Sequence, residues 1–205
     1  GRLLSDEGKI DGASSEEWLE TVKSELKHSE NVRVFNRTTV TGVYDDGTFS
    51  ALERVGHHIA DCPNGLVQDC FWRIVAKRTI LASGALERFI AFSNNDRPGI
   101  MTAGALRSYI NRYGVAPGRA YTIFGNNDSA FETALCLQQA GLHIAAYVDS
   151  RADTRLNGDF PILRGAVVSN TTGRGSLQFI KVSHIGGEDK ISTDVLAVSG
   201  GWNPT

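Results

Sequence analysis

The sequence predicts an α/β chain built on a parallel sheet, incomplete as it stands, with a β-meander beside it. Three observations carry this. Strand, turn, helix and strand follow one another from Tyr121 to Val148, one βαβ unit in about thirty residues. Two apolar strands, Arg78–Gly84 and Asp194–Ser199, run into small residues, Ala82-Ser83-Gly84 and Gly200-Gly201, the pattern of buried parallel strands delivering their ends to a ligand crevice. Ile162–Val168 and Leu177–Ser183 alternate as a meander does.

Along the chain, Ser14 and Glu17 form a capping-box pattern, and Trp18, Val22 and Leu26 follow at helical spacing, so a helix is expected to about Lys27. Val32–Phe35 reads as a short strand. Thr38–Tyr44 and Phe49–Val55 flank Asp45-Asp46-Gly47, a hairpin turn, and Trp72–Ala76 adds a third strand. Gly56–Gln68 is irregular. After the Arg78–Gly84 strand, polar Ser93–Gly99 reads as a connection between domains. Ala103, Leu106, Ile110 and Tyr113 then mark a helix over 102–113, closed by Gly114 and followed by the Pro117-Gly118 turn. The βαβ unit takes Tyr121–Phe124, Ser129–Ala140 and Leu142–Val148.

Composition bounds the function. The chain has 205 residues, is 41% hydrophobic and 21% charged, and carries a net charge of −2, a globular balance without bias toward nucleic acid or anionic lipid. No apolar run is long enough to span a bilayer. The start, Gly1-Arg2-Leu3-Leu4, shows neither an initiating Met nor a secretory signal, so a processed or internal piece is expected. Cys62, Cys70 and Cys136 fit neither a disulfide framework nor a metal cluster; free thiols in a cytoplasmic protein are expected, with the sequons at Asn36, Asn127 and Asn170 as chance matches.

The strand-to-helix turn of the βαβ unit places Gly125, Asn127 and Ala130 where a dinucleotide fingerprint has its three small residues. The first and last suit the pattern. The middle one puts a side chain where a pyrophosphate comes closest, and Asp128 adds a carboxylate at the helix start, where it can serve as a cap. Asp149, 24 residues after Gly125, stands where a ribose-binding acid belongs. The unit is either a retained scaffold or a modified cofactor site. No catalytic constellation emerges. His28 sits where a helix end favours a cation, and adjacent His57 and His58 cannot both face one metal from a strand. His143 and His184 lie in strand patterns, and Ser83 and Ser199 lack a base at readable spacing. Glu87-Arg88 is either a cofactor-edge ion pair or a solvated one.

Several segments taken together resemble the alpha subunit of heterotetrameric sarcosine oxidases. They are Ala82-Ser83-Gly84-Ala85-Leu86-Glu87-Arg88, Asn94-Asn95-Asp96-Arg97-Pro98-Gly99-Ile100-Met101 and Asn111-Arg112-Tyr113-Gly114-Val115. Gly125-Asn126-Asn127-Asp128-Ser129-Ala130 and Ser199-Gly200-Gly201-Trp202-Asn203-Pro204 join them, with Thr38-Thr39-Val40 and Ala51-Leu52-Glu53-Arg54-Val55 upstream. The resemblance covers nearly the whole chain. It implies an FAD/NAD(P)-binding, two-dinucleotide-domain, three-layer architecture, and an enzyme that oxidises sarcosine to glycine with oxygen as acceptor, gives peroxide and passes the one-carbon unit to tetrahydrofolate. It also implies NAD on the alpha subunit, FAD on a beta subunit, FMN between the two, and smaller subunits as further partners. Two departures stand out: Ser83 replaces the usual threonine of Ala-Thr-Gly, and Phe89 a frequent proline. The family's first glycine-rich turn and its folate domain are not within these residues.

The organisation expected from this is a first dinucleotide-binding domain over 1–115, completed by 191–205, with a second, NAD(P)-binding-like domain inserted over 116–190. The cofactor-binding set expected from the strand ends and the resemblance is Thr39, Val40, Ala82, Ser83, Gly84, Arg88, Gly200 and Gly201. No catalytic or metal-binding residue is expected, and the 205 residues alone are expected to be inactive. The alternatives are a non-catalytic nucleotide-fold scaffold and an alpha-type subunit of another amine or opine dehydrogenase.

Overall fold

The computed structural model describes residues 9–61 and 63–205 and divides into two compact units, one of Ile10–Ala82 and one containing Ser83–Thr205. The N-terminal motif Gly1–Leu4 and Cys62 lie outside the described residues.

A short ladder of β1 (Lys9–Ile10) and β2 (Ala13–Ser14) leads into α1 (Ser15–His28) of the smaller unit. The capping box forms as its spacing requires: Glu17 N–H donates to Ser14 Oγ at 3.2 Å, and Ser14 N–H donates to the Glu17 carboxylate at 3.0 Å. The Ser14 N–H and hydroxyl, both donating to the Glu17 carboxylate, hold its pKa below the ordinary range. Ser14→Ala is expected to cost about 1 kcal/mol of stability, seen as a lower midpoint in a thermal melt followed by far-UV circular dichroism.

Three antiparallel strands follow, β3 (Thr38–Tyr44), β4 (Thr48–Arg54) and β5 (Asp69–Val75), in the order β3-β4-β5. Asp46 (φ 56°) and Gly47 (φ 65°) give the hairpin its left-handed turn, and a Cβ on Gly47 would stand 2.3 Å from the Ala76 carbonyl oxygen. Trp72 anchors the sheet: its indole N–H donates to Glu53 at 2.7 Å, and Phe35 and the Arg33 guanidinium pack on its ring. Two expected strands do not form. Val32–Phe35 and Arg78–Gly84 have no ladder partners among the described residues, and Ile80 and Leu81 are 92% and 79% exposed. An apolar run becomes a parallel strand only where a neighbour supplies its hydrogen bonds.

The larger unit has three layers. Its centre is a parallel sheet of β7 (Ile100–Thr102), β8 (Ala120–Gly125), β9 (His143–Asp149), β10 (Ile162–Arg164) and β14 (Val195–Ser199), in the order β10-β9-β8-β14-β7. Helices α2 (Ala103–Tyr113) and α3 (Asp128–Gln139) cover one face, over Tyr121, Ile123, Tyr147, Val195 and Ala197. The meander of β11 (Val167–Thr172), β12 (Phe179–His184) and β13 (Gly187–Ser192) covers the other, over Phe124, Val148, Leu196 and Val198. Burial on both faces explains why β14 is apolar from Val195 to Val198, each of its five residues being buried. An antiparallel ribbon of β6 (Ala85–Glu87) and β15 (Trp202–Pro204) completes the unit.

Three segments take their place from distant neighbours. Val195–Ser199 is the strand between β8 and β7. Ile100–Thr102 pairs with it in the same sheet. Ile162–Val168 divides in two, its first half running parallel to β9 and its second entering the meander. Local alternation cannot distinguish these outcomes, because register and direction are set by distant neighbours.

Candidate functional site

The parallel strands β7, β8, β9 and β14 deliver their C-terminal ends to one edge of the sheet: Thr102, Gly125, Asp149 and Ser199. In open α/β sheets this edge is where ligands bind.

At the β8–α3 turn the small residues do what a dinucleotide turn asks of them. A Cβ on Gly125 would lie 2.4 Å from Ala130 Cβ, so glycine is what lets helix and strand approach. Asn127, expected to obstruct a phosphate, turns inward. Its Oδ1 accepts from the Ala130 N–H at 3.0 Å, and its Nδ2 donates to the Ser199 carbonyl oxygen at 3.1 Å. Asn127 is therefore the N-cap of α3. Asp128, expected as a possible cap, is the first helical residue and pairs with Arg151 Nη1 at 2.9 Å. Asp149 is fully buried at the end of β9, and Arg151 occupies both of its oxygens through Nε (3.0 Å), Nη2 (2.9 Å) and the backbone N–H (2.9 Å). These carboxylates hold the Arg151 proton more firmly than usual. Tyr147, buried beneath the turn, donates its hydroxyl to the Asn127 carbonyl at 3.4 Å and meets Phe131 edge to face. Burial and the Asp149 charge push its phenol up.

The second cluster is the β6–β15 ribbon, which brings together five of the eight expected cofactor-binding residues: Ser83, Gly84, Arg88, Gly200 and Gly201. Arg88 N–H donates to the Gly201 carbonyl at 2.8 Å, and Gly200 N–H returns to the Arg88 carbonyl at 2.7 Å. Ser83 Oγ donates to the Thr205 carbonyl, and Thr205 N–H to the Gly84 carbonyl at 3.2 Å. Gly84 (φ 89°) and Gly201 (φ 93°) need glycine for their backbone, and nothing lies within 4 Å of a Cβ built on either. Glu87 does not join Arg88 in a cofactor-edge pair. Its carboxylate accepts from the Gly104 N–H at 2.7 Å, at the N-terminus of α2, whose N-cap Thr102 accepts from Ala105 N–H. The other three expected residues, Thr39, Val40 and Ala82, lie in the smaller unit: Thr39 and Val40 on β3, opposite Leu52 and Ala51, and Ala82 on the extended segment after β5.

Sequence reasoning missed Arg151, Tyr147 and the role of Ser199. The available signal was a cation two residues beyond an expected ribose-binding acid, with a second carboxylate at the facing helix start. His28 Nδ1 bonds the Ser24 carbonyl at 2.7 Å on the last turn of α1, and His57 pairs with Asp69 at 3.0 Å. No group of three metal-ligating side chains occurs among the described residues.

No protein-family model matches the chain. Relatives do. The sarcosine oxidase alpha subunit of Rhizobium meliloti is 44% identical over the whole of this chain, which covers 21% of that protein. That of Corynebacterium sp. (strain U-96) is 37% identical over the whole chain, covering 23% of it. The chain resembles sarcosine oxidase alpha subunits throughout. It spans about a fifth of their length. Among solved structures, L-proline dehydrogenase from P. horikoshii superposes with a TM-score of 0.67 at 22% identity, over all of this chain and 35% of that one. Bacillithiol disulfide reductase from Bacillus cereus gives 0.63 at 13% identity, over 96% of this chain and 59% of that one. The chain shares its fold with these two proteins. Among the described residues, no helix is long and apolar enough to cross a membrane.

Proposed function

We propose that this chain is the central part of the alpha subunit of a sarcosine oxidase-like flavoenzyme complex. The observation that carries the reading is 44% identity to such a subunit across every residue of the chain. On this reading the assembled enzyme demethylates sarcosine oxidatively to glycine, forms peroxide and passes the one-carbon unit to tetrahydrofolate in the cytoplasm. Its partners are a beta subunit carrying FAD, with FMN between beta and alpha, and smaller subunits. The chain's share is structural: part of an NAD site and a surface for the other subunits.

The ribbon suits that share in one respect. Gly84 and Gly201 leave open space on the backbone, so a dinucleotide can approach main-chain N–H and C=O groups there without meeting a side chain. Ser83, Gly84, Arg88, Gly200 and Gly201 would line it; Thr39, Val40 and Ala82 are proposed as cofactor-binding residues of the smaller unit, taken by itself. NAD, when bound, supplies a hydride-accepting nicotinamide. What these residues do is bind and orient. We further propose that the smaller unit belongs to the first dinucleotide domain and that the three-layer unit is the second.

Titration of NAD and FMN against the whole alpha subunit tests the share assigned here. Stoichiometric NAD, weakened by Gly84→Val, is expected. Binding of neither cofactor would favour the non-catalytic scaffold, the reading that the inward-turned Asn127 supports for the βαβ unit taken alone.

A further inference from the structure

The side chain of Arg151 bridges the end of β9 and the start of α3 in the βαβ unit. In such a unit the acid at the end of the second strand receives ribose hydroxyls, and the helix N-terminus receives the pyrophosphate. Here Asp149 is the acid, and its carboxylate accepts three hydrogen bonds from Arg151. Asp128 stands at the helix start, and its Oδ1 accepts from Nη1 of the same guanidinium at 2.9 Å. One cation thus ties the end of β9 to the start of α3. We infer that Arg151 is an internal occupant of the nucleotide position, closing this βαβ unit to dinucleotides while keeping its fold.

Four further features agree. The Asn127 side chain satisfies the Ala130 N–H, a donor that an open turn would leave free at the helix start. Its amide also ties the turn to Ser199 at the end of β14. Two carboxylates against one guanidinium leave a formal charge of −1 at the turn, which opposes an anionic pyrophosphate. The buried Asp149 would be left without its cation if Arg151 swung away, so opening the turn carries the penalty of an unpaired buried charge. The inference rests on the fold and these contacts, not on the sarcosine oxidase reading.

The test is an amide NMR titration of the 205-residue chain with NAD and with ADP, read at Gly125–Ser129 and Asp149–Arg151, together with a double-mutant cycle. Expected are no saturable shifts at those amides up to millimolar nucleotide, and a melting temperature lowered by roughly 6–12 °C in Arg151→Gln. Adding Asp149→Asn to that variant should recover part of the loss, because the carboxylate no longer needs a partner. Saturable shifts at these amides in the unaltered chain would overturn the inference, whatever the variants do. So would an Arg151→Gln variant as stable as the parent. Because the readout is confined to this turn, cofactor binding elsewhere in the subunit leaves the result unaffected.

Discussion

Gly125→Ala is expected to destabilise the three-layer unit by about 3 kcal/mol, the upper part of the range for overpacking a dense core. The added methyl would stand 2.4 Å from Ala130 Cβ and 3.3 Å from the Ser199 carbonyl oxygen. Neither neighbour is the free end of a flexible chain: Ala130 is fixed in the first turn of α3, and Ser199 ends a central strand. Strand and helix must separate, which strains the Asn127 cap and its bond to Ser199 as well. A melting temperature lower by roughly 6–12 °C follows for a chain of this size. Ala130→Gly removes the methyl that is struck, so the double variant should recover much of the loss despite the weaker helix propensity of glycine. A Gly125→Ala variant as stable as the parent would contradict this packing.

Leu196→Ala should cost about 2–5 kcal/mol. Leu196 is fully buried on β14, beneath the meander, among Phe124, Val148, Leu177, Ile180 and Val198. Backbone pairing to β7 on one side and β8 on the other prevents the strand from collapsing into the cavity left behind. Ile185→Ala, at a fully exposed turn between β12 and β13, serves as the control, with an expected change within about 0.5 kcal/mol. Urea unfolding of both variants checks the contrast. Equal midpoints would mean that β14 is not the centre of the unit.

Much of this fold was legible where local chemistry is decisive. The Ser14/Glu17 capping box, the Asp45-Asp46-Gly47 hairpin and the Gly125 turn each depend on residues a few positions apart, and each formed where its spacing placed it. Less legible were features fixed by distant partners. The apolar run Val195–Ser199 signals a buried parallel strand, but nothing within it tells which sheet supplies its neighbours. The run at Arg78–Gly84 carries the same signal and finds no ladder among the described residues.

The site divides along the same line. Ser83, Gly84, Gly200 and Gly201 stood out because small residues end apolar runs, and the β6–β15 ribbon does bring them together with Arg88. Asn127 also stood out, for the wrong reason. It looked like an obstruction standing in the turn, whereas it folds inward and caps the helix. Asp149 looked like an open ribose acid because the pattern that marks it is blind to Arg151 two residues later. A carboxylate's position follows from strand length, while its availability depends on which cation reaches it in three dimensions.

The most direct test of the central proposal is peroxide formation by the whole alpha subunit assembled with its partner subunits and supplied with sarcosine. Sarcosine-dependent peroxide, with glycine as the product, is the predicted result. No peroxide with sarcosine or any other N-methyl amino acid, from an assembled complex that holds its flavins, would contradict it.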